Sequence, residues 1–402
     1  MTHAFVGAAM AECAVPQGAA ARARVAMMSL GVVAANAPDI DLVYTNIIEE
    51  PLGYLLHHRG HSHTLPGLVA IGVLICVGVR LVPALRSAAQ GMERRWLVLI
   101  AAALASHLLM DTANGYGTHL LYPFSSRWVY GDAVFVLEPW CWALLGVALA
   151  LNAGWRARVA IGVITLALIG GAGAIGLVPA VMVLVMFVVA GIAAFAIRTW
   201  DRRSRAAAAL MAIAIIFLLM PAVSRVAKRT ARTLGGVQDA NVIDVLADAN
   251  PGVPWCWSVL ILERAEDPAK SLVARRATLS LMPRVWAAGS CASARLAART
   301  GAAVRPSSRI VWHRRWEIDA DALRGLAAGN CRARAWLQFG RVPYVDGGRI
   351  RDLRFENPVG QNFTTMSLEG GPGCPAYLTN WQPPRADVLE HLFLITPGSK
   401  FR

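Results

Sequence analysis

Six apolar runs, each close to the length that crosses a lipid bilayer, constrain this chain more than any other feature. A bilayer core needs about 20 apolar residues in helical form, and a helix satisfies every backbone polar group within its own segment. The runs are Leu65–Leu85, Trp96–Gly115, Val134–Leu151, Ala157–Gly176, Leu177–Ile197 and Ala206–Ser224. Two shorter runs, His3–Ala14 and Val25–Ala37, predict a helical hairpin before them. We therefore expect a polytopic α-helical membrane protein with about six transmembrane helices.

Composition supports this class and argues against nucleic-acid binding. Apolar residues make up 56% of the chain, charged residues make up 16%, and the mean hydropathy is +0.47. The net charge of +14 comes from basic residues that are scattered or lie at the ends of apolar runs. No basic stripe with interleaved aromatic residues is present, so we expect a lipid bilayer as partner and no nucleic acid.

Arginines mark every second loop between the runs. The residues are Arg86, Arg94 and Arg95, then Arg156 and Arg158, then Arg198, Arg202, Arg203 and Arg205. Because cytoplasmic loops carry the excess of Lys and Arg, these loops are predicted to be cytoplasmic in an inner-membrane protein. The loops His57–Thr64 and Tyr116–Asp132, and the C-terminal region, would then lie outside. The basic residues Arg225, Lys228, Arg229 and Arg232 argue the other way, although long domains cross regardless of charge.

The composition changes after residue 230, where Pro, Trp, Arg and short strand-like segments replace apolar runs. The candidate strands are Ser258–Leu262, Arg309–Trp312, Ala335–Phe339 and Ile350–Phe355, and Val345–Arg349 is a candidate hairpin turn. Four of the seven cysteines lie here, an even number that permits disulfides outside the cytoplasm. We expect three regions: an N-terminal hairpin with His/Asp loops (1–64), a helical bundle (65–224) and a β-rich extramembrane domain (225–402).

An ionisable pair, His107 and Asp111, interrupts one of the apolar runs. At i and i+4 both side chains project from one helix face, and intramembrane ionisable residues normally face a partner or a cavity. Seven of the nine histidines precede residue 120. With the predicted topology, one outer membrane face receives these side chains: His3, Asp39, Asp41, His58, His63, His107 and Asp111. Mixed His and carboxylate ligation suits zinc, and also manganese or iron.

Other interpretations of the same residues compete with a metal site. His107 and Asp111 could form a buried hydrogen-bonded pair that pins two helices. Asp39 and Asp41 could be solvated carboxylates at a helix-ending turn. The aromatic residues that follow are interpreted as an interfacial belt: Tyr116, Tyr122, Trp128, Tyr130, Trp140 and Trp142.

Two arginines near the cluster are candidates to bind an anionic oxygen of a substrate. Arg59 and Arg127 offer forked guanidinium donors that match a phosphate or a carboxylate. Contacts with lipid headgroups would explain both residues without catalysis. Glu138, before Pro139, is either a support for a metal ligand or an ordinary helix-start carboxylate.

Several short motifs together resemble the YdjM/YfhP-type membrane-bound metal-dependent hydrolases. They are the early His3, the PDID element at 38–41, HRGHSHT at 58–64, HLLMD at 107–111, NGYGT at 114–118 and LYPFS at 121–125. FGRVPY at 339–344 and DLR at 352–354 resemble the family's closing segment, so the resemblance extends over essentially the whole chain. Two positions depart from the pattern: His61 replaces an apolar or aromatic residue, and Ser62 replaces Thr.

The resemblance implies a metal and catalytic set: His3, Asp39, Asp41, His58, His63, His107 and Asp111. It implies hydrolysis with one or two divalent ions, zinc first, with Arg59, Arg127 and Asp41 as catalytic candidates. A site at the membrane face suggests an ester or phosphoester of a lipid or an envelope precursor as the substrate. The alternatives are a transporter or ion-handling protein with a midplane His/Asp site, and a scaffold with a closed structural metal.

Overall fold

The computed structural model describes residues 1–45, 47–236, 241–265, 271–293, 305–306, 309–356, 362–369, 373–374 and 379–393. Eleven helices occupy the N-terminal part of this described chain. They are α1 (Thr2–Ala14), α2 (Ala21–Asn36), α3 (Leu42–Thr45), α4 (Leu52–His57), α5 (Leu65–Leu81), α6 (Pro83–Ala89), α7 (Glu93–Thr112), α8 (Pro139–Asn152), α9 (Trp155–Ala174), α10 (Ala180–Ile197) and α11 (Arg202–Gly235). Short 3₁₀ turns at Ala37–Asp41 and His61–His63 separate the first helices.

Among the described residues, five helical segments are long and apolar enough to cross a membrane. They are Ala21–Thr45, Glu93–Thr112, Trp155–Ala174, Ala180–Ile197 and Arg202–Gly235. A sixth span results if Leu52–His63 and Leu65–Leu81, which are bent by 70° at their junction, act as one. The expected membrane bundle is therefore confirmed in outline.

Prolines set several helix boundaries away from the apolar runs. The run Val134–Leu151 forms only the 14-residue α8, because Pro139 occupies its first turn and the chain before it is irregular. That helix is shorter than a bilayer span. Pro83 ends the run Leu65–Leu85 in the same way, since Val82 is extended before α6 begins. Proline is favoured at the start of a helix and disfavours a helical residue before it.

The N-terminal hairpin forms as expected, with α1 packed closely on α2. Gly7 and Gly31 face each other at the crossing, where a Cβ on either would overlap the backbone of the other helix. Small residues allow two helix backbones to approach in this way. The hairpin is consequently part of the bundle. His3, near the start of α1, and Asp39, after the end of α2, lie together at its open end.

The arginine-rich helix ends meet on one face of the bundle. Arg95 donates to the Ala14 carbonyl at 3.1 Å, and Arg24 donates to the Asn152 carbonyl at 3.0 Å. Arg205 reaches the Asn152 side chain at 3.4 Å. One face of the bundle thus contains the starts of α2, α7 and α11 and the ends of α1 and α8. The opposite ends of these helices lead to the His/Asp loops and the C-terminal region.

The C-terminal region contains two antiparallel sheets. Five strands form the first in the order β1-β2-β3-β5-β4: β1 (Val242–Asn250), β2 (Val253–Arg264), β3 (Ser271–Ser280), β4 (Arg305–Pro306) and β5 (Ile310–Asp319). Three short strands form the second, in the order β6 (Pro343–Asp346), β7 (Arg349–Asp352) and β8 (Met366–Ser367). The predicted turn lies between β6 and β7. Short helices follow at Ala320–Gly329, Cys331–Leu337 and Ala386–Phe393.

One predicted strand is wrong, and a second, Ile350–Phe355, is a strand only as far as Asp352, because Leu353–Phe355 forms a 3₁₀ turn. Ala335–Phe339 lies at the end of a helix, because the segment before it is rich in Ala, Arg and Leu and because the Asn330 side chain caps it by accepting from Ala333 N at 3.0 Å. The boundary after Ser224 falls inside α11, which continues to Gly235 and packs against β1 and β2.

Buried ion pairs hold the C-terminal region on the loop that follows α7. The guanidinium of Arg341 binds Asp132 of this loop at 2.9 Å and Asp244 of β1 at 2.9 Å. Lys228 of α11 binds Asp132 at 2.6 Å, and Arg354 donates to the Gly115 carbonyl at 3.0 Å. Two disulfides, Cys256–Cys291 and Cys331–Cys374, lie within this region.

Asp248 of β1 is predicted to make stability depend on pH. Burial, and then the neighbouring Asp132 carboxylate, raises its pKa to about 6. Ionising this carboxyl in the folded protein therefore costs free energy, and that cost is absent below its ordinary pKa of about 3.9 and grows as pH rises through about 6. Asp248→Asn should raise Tm by about 2–4 °C at pH 8 and by less than half as much at pH 4.5.

Thermal unfolding followed by tryptophan fluorescence measures this difference. The matched control is Asp346→Asn, because the Asp346 side chain is 60% exposed. An equal Tm shift for Asp248→Asn at both pH values would contradict the assignment.

Candidate metal centre

Four chain segments deliver the His/Asp residues to one place. His3 lies in the first turn of α1, Asp39 and Asp41 lie in the 3₁₀ turn after α2, and His107 with Asp111 lies in the final turns of α7. His58 directly follows α4, and His63 is the last residue of a second 3₁₀ turn between α4 and α5. All seven predicted ligands thus sit where helices begin or end on the face opposite the arginine-rich ends.

Four ligand atoms converge at the centre of this cluster. His63 Nε2 lies 3.1 Å from His107 Nε2, 3.2 Å from Asp111 Oδ2 and 3.6 Å from Asp39 Oδ1. His107 Nε2 lies 3.4 Å from Asp111 Oδ2 and 3.5 Å from Asp39 Oδ1. Nitrogen and oxygen ligands about 2.0–2.1 Å from one tetrahedral ion are about 3.3–3.4 Å apart. Five of the six distances between the four ligand atoms are therefore close to those expected around one tetrahedral metal ion.

The hydrogen bonds of the two imidazoles place a proton on each Nδ1 atom, so the neutral form of each ring presents the lone pair of Nε2. His107 Nδ1 lies 2.7 Å from the Ala35 carbonyl, which can only accept, so Nδ1 carries the proton. The Ser62 hydroxyl donates to Asp41 at 2.7 Å, so His63 Nδ1 donates to Asp41 or Ser62, at 3.2 and 3.0 Å. Two neutral rings would then direct lone pairs at each other across 3.1 Å. A cation between them removes this repulsion, as in metal sites whose histidines are oriented by outer acceptors.

Asp41 orients the loop that carries His63. Its side chain is fully buried, and it accepts from His58 Nδ1 at 3.0 Å and from the backbone N of Arg59 at 2.9 Å. Ser62 and His63 supply further donors, as described above. Asp41, Asp39 and His58 also form a second group whose ligand atoms could hold an ion. The shared Asp39 therefore leaves room for one ion or two.

Arg59 neutralises Asp111 through both oxygens of its carboxylate. Its Nη2 and Nε lie 3.1 Å from Asp111 Oδ1 and Oδ2, respectively. Its Nη1 donates to Asn114 at 2.9 Å, and its guanidinium lies 4.9 Å from the centre of the Tyr116 ring. Arg59 is 6% exposed and has a φ of +61°, an uncommon conformation for a residue other than glycine. The surrounding contacts hold the arginine in that conformation.

His3 contacts the cluster from α1. Its Nε2 lies 3.4 Å from Asp111 Oδ1, and its ring stacks on that of His107 with 3.9 Å between centroids. His3 is therefore an outer neighbour of the four central atoms.

Three other polar residues near the motifs have described contacts with groups other than the four central atoms. Arg127 is exposed and donates to Gln382 at 2.8 Å, and the contacts of the described residues do not join it to the metal ligands. His57 packs edge-on against Tyr44, with ring centroids 6.0 Å apart. His61 packs against Trp381 and Tyr122.

The groups that orient the predicted ligands and Arg59 were not predicted from the sequence. Ser62 and Asn114 belong to the motifs quoted above, but nothing in their spacing shows that their side chains bind Asp41 and Arg59. The carbonyl of Ala35 carries no sequence signal. The interfacial-belt interpretation is wrong for Tyr116, Trp128 and Trp142, which are buried within the protein.

Comparisons with known proteins match part of the chain. Residues 1–182 match the family model described as YdjM inner membrane protein. The uncharacterized protein YfhP of Bacillus subtilis (strain 168) is 28% identical over 114 residues, which is 28% of this chain and 33% of that relative. The chain thus spans about a third of the curated relative it matches. No solved structure matches the chain.

The matched residues 1–182 include the whole His/Asp cluster and leave out the C-terminal sheets. The resemblance to YdjM/YfhP-type proteins is therefore confirmed for the segment that holds the site. Its extension through residues 339–354 stays a prediction.

Removing central ligands is predicted to remove the metal. His107→Ala combined with Asp111→Ala should abolish stoichiometric metal in purified protein, because it deletes two of the four central atoms. Asp41→Asn should weaken metal binding by about 10–100-fold, the usual effect of losing an outer acceptor.

Elemental analysis and competition with a chelator measure both effects. His61→Ala is the matched control, since it removes an imidazole of the same loop that packs on Trp381 instead of facing the cluster. Unchanged metal content in the double variant would disprove the site.

Proposed function

We propose that this protein is a membrane-bound metal-dependent hydrolase. The observation that carries the proposal is the spacing of Asp39, His63, His107 and Asp111, whose ligand atoms surround a metal-sized space while both histidines are oriented by outer acceptors. Zinc fits these ligand types best, and manganese or iron are alternatives. When bound, a divalent ion would activate water and polarise the scissile group.

The cluster is closed on three sides and open at Asp39. The side chain of Asp39 is 32% exposed, while those of His63, His107 and Asp111 are 0–4% exposed. Catalytic metal sites keep a position for water or substrate, whereas structural sites are closed by four protein ligands. An accessible carboxylate, together with the adjoining Asp41–His58 group, favours an ion that can take a further ligand.

The position of the cluster favours hydrolysis over transport. A transporter site lies near the bilayer midplane, where access alternates between the two sides. Here Asp39 follows the end of α2, His63 precedes the start of α5, and Asp111 is one residue from the end of α7. A site at the ends of helices is reached from one membrane face.

The same face supports a substrate at the membrane surface. We infer an ester or phosphoester of a lipid or envelope precursor, because the open side of the site continues into membrane-spanning helices. The exposed apolar residues Ile40 and Val43, 60% and 73% exposed, adjoin Asp39 in one of these segments.

A hydrolysis screen tests the proposal. Metal-replete protein in detergent or vesicles should cleave at least one member of an ester and phosphoester panel. A chelator should remove the activity, and the metal should restore it. The His107→Ala/Asp111→Ala variant is the negative control. Metal-replete protein that is inactive across the panel would favour a closed structural metal instead.

Arg59→Lys is predicted to separate orientation of Asp111 from binding of an anionic substrate. Lysine keeps the charge but cannot reach both Asp111 oxygens and Asn114 at once. If Arg59 orients Asp111, as its contacts favour, the variant should bind metal about 10–100-fold more weakly. Full metal binding with a lower kcat would instead support a direct role of Arg59 at the substrate. Elemental analysis paired with hydrolysis assays distinguishes these results.

Sidedness is a separate part of the proposal. We infer that the arginine-rich face is cytoplasmic and that the C-terminal region and the metal centre lie outside. Positive loops favour this orientation, and paired cysteines favour an oxidising compartment. A reporter that is active only beyond the cytoplasmic membrane, fused after Arg402, should give a signal. Activity only from a cytoplasm-specific reporter at the same position would reverse the orientation.

A further inference from the structure

A narrow crevice adjoins the metal cluster on the side of His3. It lies between α1, the end of α7, α11 and the segment before α8. The residues that line it are Thr2, His3, Met110, Asp111, Val134, Phe135, Val136, Glu138 and Phe217. Its volume is about 10 Å³, which is room for roughly one water molecule. Water therefore fits this crevice and an organic substrate does not.

His3 offers an unused ring nitrogen beside this space. Its Nε2 faces Asp111, whereas its Nδ1 is buried and has no hydrogen-bond partner among the described residues. A buried polar atom without a partner is costly, and ordered water commonly satisfies such groups.

Glu138 lines the same crevice and is weakly bound. Its side chain is buried, with the residue 6% exposed, and accepts from the backbone N of Trp140 at 3.4 Å and of Gly252 at 3.5 Å. Both distances lie beyond the usual range of N–H···O hydrogen bonds. Val134, Phe135 and Phe217 supply apolar walls. The Glu138 carboxylate can therefore accept a further hydrogen bond in addition to its weak contact with the start of α8.

We propose that one water in this crevice links His3 to Glu138, and that Glu138 is the proton acceptor of the hydrolytic site. This inference rests on the proposed hydrolase function. Asp41 is poorly suited to the same task, because its oxygens already accept from His58, Arg59 and Ser62.

The proton balance is simple. Water attacks the ester carbon or phosphorus and loses one proton, which passes through His3 and the crevice water to Glu138. The bond to the leaving oxygen breaks, and the proton returns from Glu138 to that oxygen along the same path. Glu138 thus ends each turnover as a carboxylate, and no further reactant is needed.

Few other titratable groups face Glu138. Asp111 and His3 lie across the crevice, and Cys141 lies on the next turn of α8 as a buried free thiol. The hairpin between β1 and β2 contributes only the backbone of Gly252. A pH response that disappears on changing Glu138 alone is therefore attributable to this carboxylate.

Cobalt-substituted protein tests the proposal without a known substrate. The visible spectrum of Co²⁺ follows its surroundings, so it is recorded against pH for wild type, Glu138→Gln and Glu138→Asp. Glu138→Gln should bind Co²⁺ stoichiometrically with an unchanged spectrum at low pH, and its spectral midpoint should shift by about one pH unit. Glu138→Asp, which keeps a carboxylate and a helix cap, should titrate close to wild type. Glu317→Gln, in which an exposed carboxylate of β5 is removed, is the charge control.

The outcomes separate the two proposals. If wild type binds no Co²⁺, the metal centre fails and this inference fails with it. If Co²⁺ binds and Glu138→Gln titrates like wild type, only the role of Glu138 is overturned. Once a substrate is found, Glu138→Gln should lower kcat about 10²-fold or more while KM and metal content stay near wild type. An unchanged kcat would also overturn the role of Glu138.

Discussion

Two histidine nitrogens that face each other at 3.1 Å are the constraint on which the site depends. Each ring is turned by an outer acceptor, the Ala35 carbonyl for His107 and the Asp41–Ser62 pair for His63. Neither ring can rotate to relieve the contact without losing a buried hydrogen bond. A bound cation would make the arrangement stable, and the carboxylates of Asp39 and Asp111 would balance its charge. The surrounding chain is organised to keep these atoms in place at the end of a membrane bundle.

The C-terminal region stabilises the site from outside. Trp381 donates to the Leu56 carbonyl at 2.7 Å and stacks on His119, while Arg354 and Arg341 bind the loop that follows α7. This loop carries Asn114, which binds Arg59, which in turn binds both oxygens of Asp111. A chain of polar and charged contacts therefore runs from the sheets to Asp111 of the central group. Through this path the C-terminal region would influence metal affinity without placing any of its described residues at the ion.

The sequence predicts the membrane helices and the central ligands because their signals are local. Apolar length, the i, i+4 spacing of His107 and Asp111, and the clustering of histidine are visible without knowledge of contacts. The outer contacts are not local: Ala35 meets His107 across 72 residues, and Arg59 meets Asn114 across 55. The prediction of a strand at Ala335–Phe339 was also wrong, because the Asn330 side chain caps a helix that ends at Leu337. Patterns of residue type identify ligands, but only the fold shows which atoms orient them.

The basic residues after the last apolar run count differently toward membrane orientation once their place in the fold is known. Arg225, Lys228, Arg229 and Arg232 contradict the outward orientation if they are counted as a free cytoplasmic cluster. In the structure they lie on the extension of α11, and Lys228 is held by Asp132 at 2.6 Å in the network that also contains Arg341. A lysine paired with a carboxylate presents less net charge than an isolated one. Long domains are moreover weakly governed by flanking charge, so the proposed orientation rests more on the arginine-rich loops at the other end of the bundle.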